Sequence, residues 1–207
     1  MREFSVPRGL VLLHGRPGAG KTTLASYIAL QLASAGGRVL YFDTSPAGDG
    51  VSRLYTMTED LRSLESVRAV RVNPRALRRL IIPAVVLREC GSPAHLIVDE
   101  LSSVFLAVAE TSPPEDRKKK SAAYREMLFI AALLKQYADT YGLTCVVVVD
   151  DSREGPPVGG RALQSLVGGS LRVEVAEGNV RRIVVESGPG AGTQATFLLT
   201  PRGLEFL

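Results

Sequence analysis

The chain has 207 residues, 45% of them hydrophobic, which supplies one sizeable core and predicts a single domain over residues 1–207. A formal net charge of +4 permits a polyanionic partner without requiring one, because any phosphate-binding protein needs cations of its own. Two cysteines, Cys90 and Cys145, without C-x-x-C spacing argue against a disulfide framework or zinc site, and no apolar run reaches the roughly twenty residues of a membrane span. The first nine residues lack the apolar core of a signal peptide, so a soluble cytoplasmic protein is expected.

Residues 11–13 form a short apolar run leading to Gly15, and 21–35 place Leu24, Ile28 and Leu32 on one helix face. Gly36 and Gly37 end that helix, 39–42 give a second buried strand closing on Asp43, and 44–50 are rich in turn residues. This is a βαβ unit. Residues 67–72 read as a third strand, Pro74 suits the first turn of a helix running to about Arg88, and 96–98 are a fourth strand ending in Asp99 and Glu100. A long helix at 121–141 sets Met127, Ile130, Leu134, Tyr137 and Tyr141 on one face, closes at Gly142, and precedes a strand at 145–149 whose unbroken valines imply burial on both faces. The last quarter has no long helix: 171–175, 180–185 and 195–199 are short strands between glycine-containing turns.

Between the first strand and first helix stand Gly15, Arg16, Pro17, Gly18, Ala19, Gly20, Lys21 and Thr22, every fixed position of the phosphate-binding loop in its required context. The glycines let backbone N–H groups turn inward around a phosphate, and the helix end adds partial positive charge. Lys21 reaches the β and γ phosphates, and Thr22 offers a hydroxyl to Mg2+. Thr23 follows in the same helical turn, and the expected ligand is ATP with magnesium. Asp99, at the carboxyl end of a buried strand, is the candidate second magnesium ligand, acting through water; a helix N-cap is its other reading. Glu100 beside it has two readings, a base that polarises the attacking water and an exposed residue opening the next segment. His14 and His95 are expected to be structural. Arg71, Arg75, Arg78, Arg79 and Arg88 read as a solvated face.

Together these segments resemble the RecA/RadA recombinase superfamily, in particular the short archaeal RadB-type paralogues that consist of the ATPase core. The likeness spans nearly the whole chain: GGRVLYFDTSPAGDGVSRL with Asp43, Thr44 and Arg53, the strand LIVDEL, the turn PVGGRAL, and the ending RRIVVESGPGAGTQATFLLTPRGLEF. It implies an α/β fold of the RecA-like P-loop NTPase type, with a mostly parallel central sheet flanked by helices and a C-terminal antiparallel extension. It also implies that Arg53 packs on adenine and that Pro189 lies near a nucleotide cap. Two departures imply a weak ATPase. Ser45 stands where the family has its catalytic Glu, and Asp150 and Asp151 stand where it has Asn-Gln, two negative charges facing a γ-phosphate.

The stretch 151–157 is shorter than the family's longer DNA loop and no N-terminal domain precedes Met1, so neither filament formation nor strand exchange is expected of the chain alone. The family's first DNA loop corresponds to 111–121, where the run Arg117, Lys118, Lys119, Lys120 predicts a mobile segment with four adjacent cations. That run has two readings, a contact for single-stranded DNA phosphates and a plain solvated charge run. The implied function is an ATP-binding paralogue assisting homologous recombination and DNA repair, with single-stranded DNA and a RadA-type recombinase as partners, self-association being left open. The alternative is a KaiC-like regulatory ATPase of the circadian-clock type, acting through protein partners without DNA. A small-molecule phosphotransferase is a third reading, one that needs an acceptor pocket the sequence does not display.

Overall fold

The computed structural model describes residues 6–58, 60–87, 93–113, 115–152 and 155–207. The apolar strand β1 (Gly9–Gly15) ends against the backbone of residue 173: a side chain at Gly15 would lie 2.3 Å from the carbonyl oxygen of Val173, so only glycine fits. α1 (Lys21–Ser34) returns along the sheet with Leu24 and Ile28 fully buried and leads to β2 (Val39–Asp43). Two short helices, α2 (Gly50–Met57) and α3 (Leu61–Glu65), then carry the chain to β3 (Val67–Arg71) at one sheet edge.

The helix expected from Pro74 toward Arg88 is instead three short pieces: a 3-10 turn Pro74–Ala76, α4 (Leu77–Ile82) and a π-helical turn Pro83–Leu87. Pro83 has no N–H to donate, and its ring crowds the carbonyl one turn back, so the regular hydrogen-bond ladder cannot pass it. Arg88 and Cys90 lie outside the described residues. β4 (His95–Asp99) and α5 (Ser103–Ala109) follow. α6 (Arg117–Tyr141) begins earlier than the apolar periodicity predicts, because the Asp116 side chain accepts a hydrogen bond from the amide of Lys119 and caps it. Residues 117–120 are therefore the first helical turn and not a mobile loop.

β5 (Thr144–Asp150) and α7 (Gly160–Gln164) complete the α/β part. β6 (Gly169–Glu177), β7 (Val180–Ser187), β8 (Gln194–Thr200) and β9 (Gly203–Phe206) extend the sheet as an antiparallel ribbon whose last strand is not among those expected from the sequence. The sheet order is β3-β2-β4-β5-β1-β6-β7-β8-β9, with parallel pairing from β3 through β6 and antiparallel pairing beyond. Strand alternation divides the valine-rich runs between two cores. Leu12, Val98 and Val147 face α4 and α6, whereas Leu13, Ile97 and Val148 face α1. Cys145 lies in the first core, where burial pushes its thiol up to about 12, an unreactive structural cysteine.

Candidate functional site

The register sets Gly15 opposite Asp150 and Asp43 opposite Asp99, so the carboxyl ends of β1, β2, β4 and β5 finish at one rim of the sheet. Open parallel sheets hold their ligands in the crevice outside such a rim. A cavity of about 400 Å3 opens there, bounded by the loop 17–23, the turn 45–49, Arg53, Glu100, Asp150 and, from β8, Leu199 and Thr200.

Gly20 is the N-cap of α1 with φ 97°, a left-handed conformation that glycine adopts freely. Among the described residues, the amides of Gly18, Gly20, Lys21 and Thr22 meet no carbonyl acceptor. No acidic residue occupies the first turn of α1, so its positive end faces the cleft uncompensated. An anion fits this arrangement, because it supplies the acceptors these amides lack.

Lys21 is buried at 6% exposure and donates from Nζ to Asp150 Oδ1 at 2.6 Å and to the Arg16 carbonyl at 3.1 Å. Thr22 donates from Oγ1 to Asp99 Oδ1 at 3.3 Å, and Tyr41 donates its phenol to Asp99 Oδ2 at 2.9 Å. Burial pushes the Asp99 carboxyl up to about 7, opposed by the Tyr41 hydrogen bond and reinforced by the charges of Asp43 and Glu100. The Tyr41 phenol is raised well above its ordinary value, first by burial and then by Asp99. A hydroxyl beside a buried, proton-hungry carboxylate suits a hard divalent cation, which takes the place of the proton. Among the described residues no three His, Cys, Asp or Glu side chains form a metal cage, so such a cation would complete its shell with water and phosphate oxygens.

Asp99 is not a helix cap, since α5 starts at Ser103 with Ser102 as its N-cap. Glu100 is the one non-glycine among the described residues with positive φ, at 69°, a conformation that costs about 1–3 kcal/mol and persists only where the surroundings impose it. The Thr44 hydroxyl, 2.8 Å from the Asp99 carbonyl and 2.9 Å from the Glu100 carbonyl, shares its one hydrogen between them and ties down this turn. The Glu100 carboxylate accepts from the Ser102 hydroxyl, is half-buried and lines the cleft, which removes its reading as an exposed residue. Burial raises its pKa, the Ser102 bond opposes this, and the Asp150 charge adds to it.

Arg53, on α2, stands on the cleft wall with Nε 3.0 Å from Asp49 Oδ2 and one terminal nitrogen 3.0 Å from Thr23 Oγ1. Arg16 does not line this cleft but borders a smaller cavity of about 270 Å3 with Asp151 and Arg172. The expectation that both aspartates at the end of β5 face a terminal phosphate is corrected for Asp151. Successive residues point to opposite faces, and Asp151 Oδ1 lies 2.7 Å from His14 Nδ1, whose Nε2 is 2.9 Å from Glu186. His95 stays at the far end of β4, where its Nδ1 accepts from the Thr144 amide at 3.1 Å.

Pro189 is also displaced from its expected place. β7 runs antiparallel to β6, so the turn holding Pro189 lies at the opposite end of the sheet, and Leu199 and Thr200 line the cleft instead. The basic turn 117–120 does not line the cleft. Tyr41, Ser102, Leu199 and Thr200 are not readable as site residues from the sequence, because they arrive through strand register and hairpin direction, which leave no local motif.

Sheet order, glycine loop and strand-end carboxylate together define a RecA-like P-loop NTPase fold. Residues 3–154 match the profile of a family described as an AAA domain. The chain is 26% identical over 209 residues to "DNA repair and recombination protein RadB" of Halobacterium salinarum, an alignment covering 97% of this chain and 88% of that protein. It is 23% identical over 171 residues to "DNA repair protein RadA" of a Synechocystis strain and 27% identical over 179 residues to that of Streptococcus pyogenes, spanning only 32% and 36% of those proteins. The chain belongs to this AAA domain family and is a RadB-like member of the RecA/RadA superfamily. Among the described residues no helix is long and apolar enough to cross a membrane.

Proposed function

We propose that this protein is an ATP-binding recombinase paralogue, built as a single RecA-like core domain, that assists homologous recombination and DNA repair and hydrolyses ATP weakly. The observation that carries this reading is the meeting of Lys21, Thr22 and unpaired loop amides with Asp99 at one sheet rim, in a chain similar to RadB over 97% of its length. The amides of Gly18, Gly20, Lys21 and Thr22 and the Lys21 ammonium bind phosphates, and Arg53 with Leu199 and Thr200 bounds the space for the rest of the nucleotide. Thr22 and Asp99 hold magnesium, which when bound supplies positive charge against the phosphates. Glu100 orients a water and takes its proton, a role its raised pKa favours. Ser45 offers no base; its hydroxyl donates to Asp43 at 2.7 Å and shapes the turn 45–49.

Residues 117–120 contact single-stranded DNA phosphates, and a RadA-type recombinase is the protein partner. The deciding experiment is binding to labelled single-stranded DNA at several salt concentrations, with and without a non-hydrolysable ATP analogue. The reading expects tighter binding with the analogue, and a log affinity falling by roughly 0.7 per phosphate contact per log unit of salt. Nucleotide-driven self-association with no DNA binding at low salt would transfer the protein to the KaiC-like regulatory class.

A further inference from the structure

The Lys21 ammonium is already engaged, by the Asp150 carboxylate at 2.6 Å and the Arg16 carbonyl at 3.1 Å. An ammonium has three N–H donors, so two are committed and one is left for a ligand. Asp150 is 23% exposed, ends β5 opposite Gly15, and faces the cleft on the same rim as Asp43, Asp99 and Glu100. Lys21 is the only lysine among the described residues lining that cleft, and the one arginine there, Arg53, is engaged by Asp49.

A terminal phosphate that draws on Lys21 must either break the Lys21–Asp150 pair, leaving an unpaired carboxylate beside Glu100, or settle next to that carboxylate itself. Both raise the energy of the complex by like-charge repulsion in a partly dry site. A diphosphate held by the loop amides and the remaining lysine N–H leaves the pair intact and brings one charged phosphate fewer to that carboxylate, so it meets less of this repulsion. We infer that Asp150 is a specificity-determining residue that sets the cleft to favour nucleoside diphosphate over triphosphate. The inference rests on the nucleotide-binding reading and assigns to Asp150 alone a role expected of both aspartates, because Asp151 faces His14.

The test measures dissociation constants of the full chain with magnesium for fluorescent ADP and a fluorescent non-hydrolysable ATP analogue, in the parent, D150N and D151N. The parent binds ADP at least as tightly as the analogue. D150N shifts the ratio toward the triphosphate by about tenfold or more, the scale of one charge removed from beside a phosphate. A folded D151N leaves the ratio unmoved, and D150S serves if D150N does not fold. A parent that prefers the triphosphate by about tenfold, or a D150N ratio equal to the parent's, overturns the inference while leaving nucleotide binding intact. Failure of the folded parent to bind either nucleotide overturns both.

Discussion

The Asp99 oxygens proposed to hold magnesium are also where its proton would sit, and pH separates the two roles. Its carboxyl titrates near 3.8 in an open chain and at about 7 in the fold, mainly because burial disfavours its charge. The folded chain therefore binds a proton that the unfolded chain has released between about pH 4 and pH 7, the span of those two values. Without a divalent cation, the Asp99 contribution is complete below that window and is lost as pH rises through it, by at most about 1.4 kcal/mol per pH unit. Asp99→Asn keeps a neutral side chain at every pH. Urea midpoints from pH 4 to 8 in chelator should fall for the parent and stay nearly level for the variant; parallel curves would show that this carboxyl does not carry the proton. Lys21, Thr22 and Asp99 are legible in the sequence because a local spacing announces them. Tyr41, which donates to Asp99, is not, because its position follows from β2 pairing with β4.

At the level of elements, α6 begins with a charge arrangement that opposes its own helix. Residues 117–120 place four cations in the first turn, at the positive end of the dipole, with no acidic residue among them. Asp116 eases this by capping the Lys119 amide and pairing with Lys119 Nζ at 2.8 Å, and the buried face through Met127, Ile130 and Leu134 anchors the helix further along. Periodicity alone starts the helix at residue 121, because it reports only the apolar face, and the basic turn has none. Likewise Pro83 ends the regular ladder of α4 and forces the change to the turn 83–87, which apolar periodicity does not report. Each unfavourably placed cation costs about 0.3–1 kcal/mol at low salt, so changing Arg117 and Lys118 together to Gln should raise stability by about 0.6–2 kcal/mol. Thermal melts should show that gain fading near 0.5 M salt, roughly where screening shortens to a few ångströms. The same variant should flatten the salt dependence of single-strand affinity by roughly 0.7 for every phosphate that its turn ceases to neutralise. A gain in stability with an unchanged salt slope would leave the turn a plain surface feature with no part in DNA contact.

On the scale of the whole molecule, the cleft is assembled from both halves of the sheet. The loop and α1 supply amides, Lys21 and Thr22; Glu100, just past β4, and Asp150, ending β5, supply carboxylates, with Asp99 buried behind Thr22; and β8, from the antiparallel ribbon, supplies Leu199 and Thr200. The parallel half is legible in the sequence because each strand and helix has its own period. The ribbon's contribution is not, since it depends on which way each hairpin runs. A ligand seated among all these elements binds the folded chain and not the unfolded one, so mass action must raise global stability, by about 2.7 kcal/mol when free ligand is a hundredfold over its dissociation constant. Lys21→Ala removes the cleft's buried ammonium and frees Asp150, which at 23% exposure can rehydrate, so the ligand-free variant should melt close to the parent. With ATP and magnesium the parent should then rise by several degrees while the variant stays in place. Equal shifts in both would mean that the stabilisation arises away from Lys21, and the phosphate-loop assignment could not stand.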